Sequence, residues 1–537
     1  MTLIKEILSN LPSREGLVEL LTVRNALILA YGWMIYQLLR AAWNLSPFHP
    51  LHRFPGPKLA AATYFPEYWH DFVRHGRYTV EIGKMHEIYG PLVRVTPDEI
   101  HCTDFNFVDE IYAAGGRKRN KSEHQCRGSP FALSGFMTKD HDHHRLRRAP
   151  LVKFFSKPQI IQYESHIRGY AQRLCEKLLA EVGAGKPFTV QEAYSCFTSD
   201  VISDYCYGRS FGFLDRDGWL PNYRKPLYSL LDATFVCRFY PIFKHAFLAM
   251  TWVMDYLPES IGLMIRTLKV DIPERVRQSK ENADAVVAGK KLPDGVKGNI
   301  FNELLESDLP PAEKTSERLV GDAITIMSGG TETGSWTLSV ITFFLLSQPE
   351  TFARLANELR SVVPDPLNLP SWTELERLPY LYAVVQEGLR LSYGVSGRSA
   401  RVPTDEDLVY RGEWKGEKVE HVIPRGWAVS MSTFLIHHDE SLFPDSDKFT
   451  PERWMDGEGN RRGDLDRCLM SFSKGTRMCL GMNLALCEMY TLTAAFALRV
   501  FPHMRLYETV EDDVRYDHDA TVPVIKSSSK GVRVILV

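Results

Sequence analysis

The chain has 537 residues, of which 44% are hydrophobic and 24% charged, with a formal net charge of -2. That composition belongs to a folded protein with a large core and excludes a chain disordered throughout. The near-neutral balance gives no pull toward nucleic acid, so no nucleic-acid partner is expected and any electrostatic partner must be read from local patches.

From the N-terminus, the first apolar run is ALILAYGWMIYQLL, Ala26 to Leu39, bracketed by Arg24 and Arg40. It is shorter than the roughly 20 residues a spanning helix prefers. Leu20, Leu21, Val23, Ala41, Ala42 and Trp43 extend it if the two arginines snorkel to the interface. No small-residue cleavage site follows, which argues against a removed signal peptide. A buried helix of the body is the alternative. The turn-rich stretch that follows at once, Ser46, Pro47, Pro50 and then FPGPK, reads as a stiff hinge. It favours a membrane anchor over residues 1–44 and a body over residues 45–537. Arg40, Arg53 and Lys58 place that body on the cytoplasmic side.

Further on, LVRV and EIHC, split by Pro97, predict two short strands, and the tail KGVRVILV predicts another. After Pro158, the residues Ile160, Ile161, Ile167, Tyr170, Leu174 and Leu178 keep helical spacing. Gln278 to Thr315 is polar and broken by glycines and prolines, and reads as a mobile connection with helix-forming NELLES inside it. The longest predicted helix runs from Ser316, its N-cap, to Ser347 before Pro349. About 30 residues at 1.5 Å each reach roughly 45 Å, enough to cross a domain. Its apolar middle, AITIMSGGTETGSW, predicts burial. The fold class that results is mainly α with a small β lobe, in a single large domain. The nine cysteines are odd in number and form no C-x-x-C pair, which argues for reduced thiols and against zinc.

One cysteine stands apart. FSKGTRMCLG, Phe472 to Gly481, precedes a helical apolar run from Met482 to Phe496. Cys479 therefore sits just before a helix N-terminus, where the dipole and free N–H groups favour a thiolate. Gly475 and Gly481 allow a tight turn and close approach to a flat ligand, and Arg477 suits an acidic group on it. Within the long helix lies Gly329-Gly-Thr-Glu-Thr333. Adjacent glycines there cost about 1 kcal/mol each relative to alanine and leave a groove free of side chains. Thr333 can bond back to a helix carbonyl or donate to a ligand, beside the carboxylate of Glu332. Glu387 and Arg390 lie three apart on one helix face.

Taken together, these segments resemble the cytochrome P450 family. Phe472, Gly475, Arg477, Cys479 and Gly481 fill every fixed position of F-x-x-G-x-R-x-C-x-G. Glu387 and Arg390 match E-x-x-R, with PERW at Pro451 to Trp454 following. Residues 329–333 match A/G-G-x-D/E-T with Gly329 in place of the usual alanine. His144 and Arg148 fall where W-x-x-x-R lies, with histidine for tryptophan. The resemblance covers roughly residues 50 to 537.

It implies a haem-thiolate domain holding haem b, with Cys479 as iron ligand and Phe472, Gly475 and Gly481 shaping the cofactor loop. Arg148, Arg401 and Arg477, and below them His144, are the implied partners of the haem propionates. Arg453 is implied to join Glu387 and Arg390 in a buried structural network, and Thr333 and Glu332 to serve oxygen activation. The implied function is monooxygenation of an apolar small molecule with electrons from NADPH through NADPH-cytochrome P450 reductase. The setting is single-pass attachment to the endoplasmic reticulum membrane. Arg145, Arg147, Lys153 and Lys474 are expected to steer the acidic reductase.

FSKGTRMCLG, PERW and FPGPKLAA resemble fungal secondary-metabolism members of the trichodiene oxygenase type, which implies a terpenoid or polyketide substrate. Pocket walls are implied at Ser129 to Phe136, Ile324 to Ser328, Val395 to Gly397 and Val522 to Val524. Two other readings compete: a haem-thiolate isomerase or dehydratase without external electrons, which tends to lack the acid–threonine pair, and a haem-binding sensor without turnover.

Overall fold

A computed structural model describes residues 23–537 except 128, 130–132, 221, 244–261, 263–265 and 288–298. Ten helices organise the parts that matter for the site: α1 Val23–Leu45, α2 His141–Phe154, α3 Lys157–Leu179, α4 Val190–Tyr207, α5 Arg224–Phe239, α6 Ser316–Ser347, α7 Pro349–Val362, α8 Pro379–Ser392, α9 Thr433–His437 and α10 Met482–Arg499. The centre of the body is α6. It packs along α4 on one side and against α8 and α10 on the other. From Leu319 to Leu345 most of its residues are buried. Its bounds agree with the sequence reading, but the cap is Thr315, whose hydroxyl accepts the Arg318 N–H at 3.4 Å, so Ser316 is already helical.

On α3, Ile160, Ile167, Tyr170, Leu174 and Leu178 face the core, whereas Ile161 is exposed. The polar stretch after Gln278 is less of a connection than its composition suggests. Its first part continues a helix, Ile272–Val287, and NELLE lies in a second one, Ile300–Glu306.

The β lobe is a five-stranded sheet built from β1 Leu92–Thr96, β2 Glu99–Cys102, β3 Arg119–Lys121, β4 Arg401–Pro403 and β5 Ala428–Ser430, in the order β1-β2-β5-β4-β3. Every residue of β1 and β2 is buried, as the predicted LVRV and EIHC require. On β3 and β4, Lys121 stands opposite Arg401, a register that matters below. The tail strand Arg533–Leu536 pairs with Met504–Leu506 and Phe188–Thr189.

The N-terminal apolar run is the middle of α1, whose Leu29, Trp33 and Leu39 are all more than 60% exposed. Among the described residues no helix is long and apolar enough to cross a membrane. Asn44, at the end of α1, is tied to the residues that follow. The Asn44 amide donates to the Ala62 carbonyl at 2.8 Å, and its own carbonyl accepts from buried Arg94 at 2.9 Å.

Candidate active site

The loop ahead of α10 is shaped by backbone needs that only certain residues meet. Gly475 has φ +70, and a Cβ there would lie 2.0 Å from the Tyr112 carbonyl oxygen, so no side chain fits. The Thr476 N–H donates to the Ala113 carbonyl, and the Cys479 N–H donates to the Phe472 carbonyl at 2.8 Å, closing the turn. Gly481 needs no unusual φ, and a Cβ there would meet nothing within 4 Å. That open space suits close approach of a flat ligand.

Among the described cysteines Cys479 alone is exposed. Cys126 is half-buried and the rest are buried. Burial pushes the Cys479 pKa up, opposed by the Gly481 N–H and by Arg148. Burial thus works against the thiolate that the helix terminus favours, and a cation at the sulfur would favour it.

Beside it lies a basic cluster. Arg401 is buried, donates to the Ser399 hydroxyl and the Ala400 carbonyl, and packs over the Tyr112 ring. Burial lowers the pKa of Arg148 and of Arg401, and takes Arg477 down to about 10. Buried His144 is driven down to about 2, by desolvation first and then by Arg477, Arg148, Lys121 and Arg401. Lys121, which the sequence reading missed, belongs to the same group. Its ammonium sits 3.5 Å over the Phe136 ring, and burial, with Arg401 and Arg477 nearby, lowers it to about 7. Only its cross-strand register with Arg401 places it there, which local pattern does not reveal.

No salt bridge joins Arg148, Arg401, Arg477 or Lys121 to a carboxylate among the described residues. Arg477 instead donates to the carbonyls of Arg119, Thr138, Lys139 and Asp140. Arg401 is buried and Arg148, Arg477 and Lys121 are half-buried, and cations so enclosed without acids call for an anionic partner. A dicarboxylate macrocycle whose metal accepts a thiolate fits this donor set, so the residues present suit haem.

On α6 the adjacent glycines split their roles. Gly329 is open, with nothing within 4 Å of an added Cβ, whereas at Gly330 a Cβ would lie 2.7 Å from Ile202 of α4. The first leaves the groove, and the second allows the close packing of α6 on α4. Gly334 likewise seats Thr198 at 3.3 Å, a packing role rather than a source of flexibility.

The Thr333 hydroxyl donates to the Gly329 carbonyl at 2.8 Å. Glu332 points elsewhere. It is buried, accepts from the Gln191 amide at 2.5 Å and lies 3.5 Å from Arg224 of α5. Burial raises its pKa against the pull of Arg224. Successive helical residues diverge by about 100°, so the structure does not bring the two side chains onto one face.

Behind the loop, Glu387, Arg390 and Arg453 form the expected network. The Glu387 carboxylate accepts from Arg390 at 2.8 and 2.9 Å and from Arg453 at 3.0 Å, with Trp454 and the Thr450 N–H completing its shell. Arg390 also donates to the His437 carbonyl. The His437 ring accepts the Met470 N–H at 2.8 Å, so the network reaches the residue two before Phe472. Arg147 departs from expectation. Its guanidinium is only 13% exposed and is held by Glu313 at 2.7 Å, so it is not free to steer a partner. Arg145 and Lys153 on α2 are exposed, while Lys474 is half-buried.

Of the implied pocket walls, residues 130–132 lie outside the described residues. Val395 keeps 37% exposure, whereas Val522 is buried.

Comparison with known proteins agrees with this geometry. A family profile described as Cytochrome P450 matches residues 60–504. A cytochrome P450 monooxygenase of Metarhizium majus, ppzE, is 40% identical over 459 residues, 81% of this chain and 92% of its own length. TRI4, a cytochrome P450 monooxygenase of Fusarium sporotrichioides, is 34% identical over 500 residues, 93% of this chain and 92% of its own. The tryptophan 6-hydroxylase fscE of Fusarium equiseti is 34% identical over 528 residues, covering 97% and 98%. With the cysteine loop, the basic cluster and the Glu387 network in place, the chain belongs to the cytochrome P450 family and is a monooxygenase of that family.

Proposed function

We propose that the protein inserts one oxygen atom from O2 into an apolar terpenoid or polyketide intermediate of fungal secondary metabolism. Its electrons come from NADPH through a membrane-bound P450 reductase. The observation that carries the reading is the exposed Cys479 thiol beside a partly buried basic cluster that meets no acid among the described residues. Cys479 would hold the haem iron, and Arg148, Arg401 and Arg477, with Lys121, would meet its propionates. When bound, haem supplies the oxygen-activating chemistry, which thiolate donation favours. The chain orients the substrate, keeps bulk water away and passes protons through the Thr333 side of α6. The retained hydroxyl at Thr333 favours this over an isomerase.

Relatives named for TRI4 and for tryptophan hydroxylation match equally well at 34%. The terpenoid or polyketide class therefore rests on the resemblance of the loop, PERW and hinge segments. The test is a panel of terpenoids, polyketides and tryptophan, screened for a Soret shift on the holoenzyme. Each hit is then incubated with reductase and NADPH. Expected are NADPH consumption and a product heavier by one oxygen. Conversion of a hit with no NADPH consumed would make the protein an isomerase or dehydratase.

The reading includes attachment to the endoplasmic reticulum membrane through residues 1–44, with the body in the cytoplasm. The apolar surface that α1 exposes supports it, as do Phe65, Trp69 and Val73, all more than 40% exposed near its end. Because Asn44 bonds to the body, a truncation should stop at residue 40. Deleting residues 1–40 is expected to move the protein from the membrane to the soluble fraction with haem content unchanged. Complete retention in the membrane would transfer the attachment to the aromatic surface at 65–73.

A further inference from the structure

Arg94 of β1 is a cation buried among neutral acceptors. Its guanidinium donates to the Asn44 and Pro97 carbonyls, each at 2.9 Å, and meets the His49 ring at 3.1 Å. Arg94 is 2% exposed, and burial takes its pKa down to about 10, so it stays charged. His49 is 1% exposed and held neutral, lowered to about 4 by burial first and then by Arg94. Its Nδ1 accepts the Leu51 N–H at 3.1 Å, so this unprotonated nitrogen is the one that Arg94 also meets. The Arg94 backbone holds a third stretch. Its N–H donates to the Pro55 carbonyl at 2.8 Å, and a Cβ at Gly56 would lie 2.6 Å from its carbonyl oxygen. One residue thus gathers the end of α1, the turn at His49 and the FPGP segment.

Helix α1 answers from its own side. The Asn44 amide reaches the Ala62 carbonyl on the short helix Lys58–Ala62. One turn earlier, Arg40 lies 3.9 Å from Asp98 and 5.7 Å over the Tyr64 ring, and the Tyr64 hydroxyl donates to Asp98. Trp43 stands edge-on to His49, which stands edge-on to Trp427. Positions 40 and 44 share one face of α1, about 6 Å apart along its axis. A helix tied at one point pivots, whereas ties a turn apart give it a direction. The exposed Arg40–Asp98 pair adds little by itself, so the buried tie between Arg94 and Asn44 dominates. A buried cation among neutral groups is a poor source of stability. What it supplies here is geometry, and the proline-rich stretch becomes a joint with no free swing.

We propose that Arg94 is the hub of a rigid joint that fixes the direction in which α1 leaves the body, so that a lipid bilayer holding α1 meets the body in one orientation. The orientation on the bilayer rests on the membrane attachment proposed above, whereas the joint itself does not.

The test uses the haem-loaded full chain in phospholipid nanodiscs. Spin labels are attached through genetically encoded ketone side chains, which leaves the native cysteines untouched. One label replaces Tyr31 on α1 and the other Val510 on the body, both more than 60% exposed. A control pair at Leu367 and Val510 lies wholly within the body. Pulsed electron-spin distance measurement should give the wild type one peak for Tyr31–Val510, as narrow as that of the control pair. In Arg94→Met that peak is expected to widen at least about twofold, because residues 46–57 then act as a linker, while the control pair keeps its width. Should Arg94→Met fail to take up haem, Asn44→Leu combined with His49→Leu loosens the joint from the α1 side and carries the same comparison. A wild-type peak wider than the control, or an unchanged peak in a haem-loaded variant, would overturn the joint. A chain that does not stay with the nanodisc would instead strike the membrane reading, and the same pair measured in detergent micelles would then decide the joint.

Discussion

Glu387→Gln is expected to destabilise the protein by about 3–5 kcal/mol, the cost of breaking a buried ion pair from one side, and to leave most of it without haem. The carboxylate and Arg390 are both 0% exposed. Burial alone would push the Glu387 carboxyl up, but Arg390 and Arg453 hold it below the usual carboxylate range. A group depressed in this way contributes stability above its unfolded pKa, and the contribution fades as pH falls through the lowered folded value. The substitution should therefore remove stability at neutral pH and matter less in acid. An amide keeps the shape but not the charge, which leaves two guanidinium groups against a neutral partner. The loss should reach the cysteine loop through Arg390, His437 and Met470. Urea unfolding and the ratio of haem to protein, measured together, check this. Wild-type stability with full haem would show that the network is dispensable.

Thr333→Ala is expected to act on chemistry and leave the fold intact. Oxygen activation consumes protons as well as electrons, and a positioned proton-handling group contributes about 10²–10⁴-fold. The Thr333 hydroxyl gives its own hydrogen to the Gly329 carbonyl. Its oxygen is then left to accept from a donor in the groove that Gly329 opens. Glu332 is turned instead toward Gln191 and Arg224. Electron delivery should not need Thr333, so the alanine variant should still consume NADPH while yielding less product and more hydrogen peroxide. Thr333→Ser, which keeps the hydroxyl, should restore most of the coupling. The measurement is product formed per NADPH consumed. An unchanged ratio in Thr333→Ala would mean that protons arrive by another route.

What the sequence made legible is local. The bounds of α6 follow from Pro311 and Pro349, and the cysteine loop from a ten-residue pattern. The Glu387–Arg390 pair follows from i, i+3 spacing, and the strands β1 and β2 from runs split by Pro97. What stayed hidden depends on partners far along the chain. Lys121 joins the basic cluster because β3 pairs with β4 across 280 residues. Arg147 looked like part of an exposed basic face, yet it is taken by Glu313 from another element. A buried ion cluster around Glu67 draws residues from positions 67, 124, 238 and 398, whose charges are unremarkable in isolation. Adjacent acid and threonine at 332 and 333 read as one unit, although helical geometry points them apart.

The central claim is that Cys479 is the thiolate ligand of a haem iron. Cys487, fully buried on α10 with its thiol pushed up by burial, is the internal control. The decisive measurement is the spectrum of the reduced carbon monoxide complex of Cys479→Ala and Cys487→Ala, prepared in parallel. The account predicts that the first loses the long-wavelength thiolate-type Soret band and all monooxygenase activity, and that the second keeps both. A thiolate-type band surviving in Cys479→Ala would contradict it.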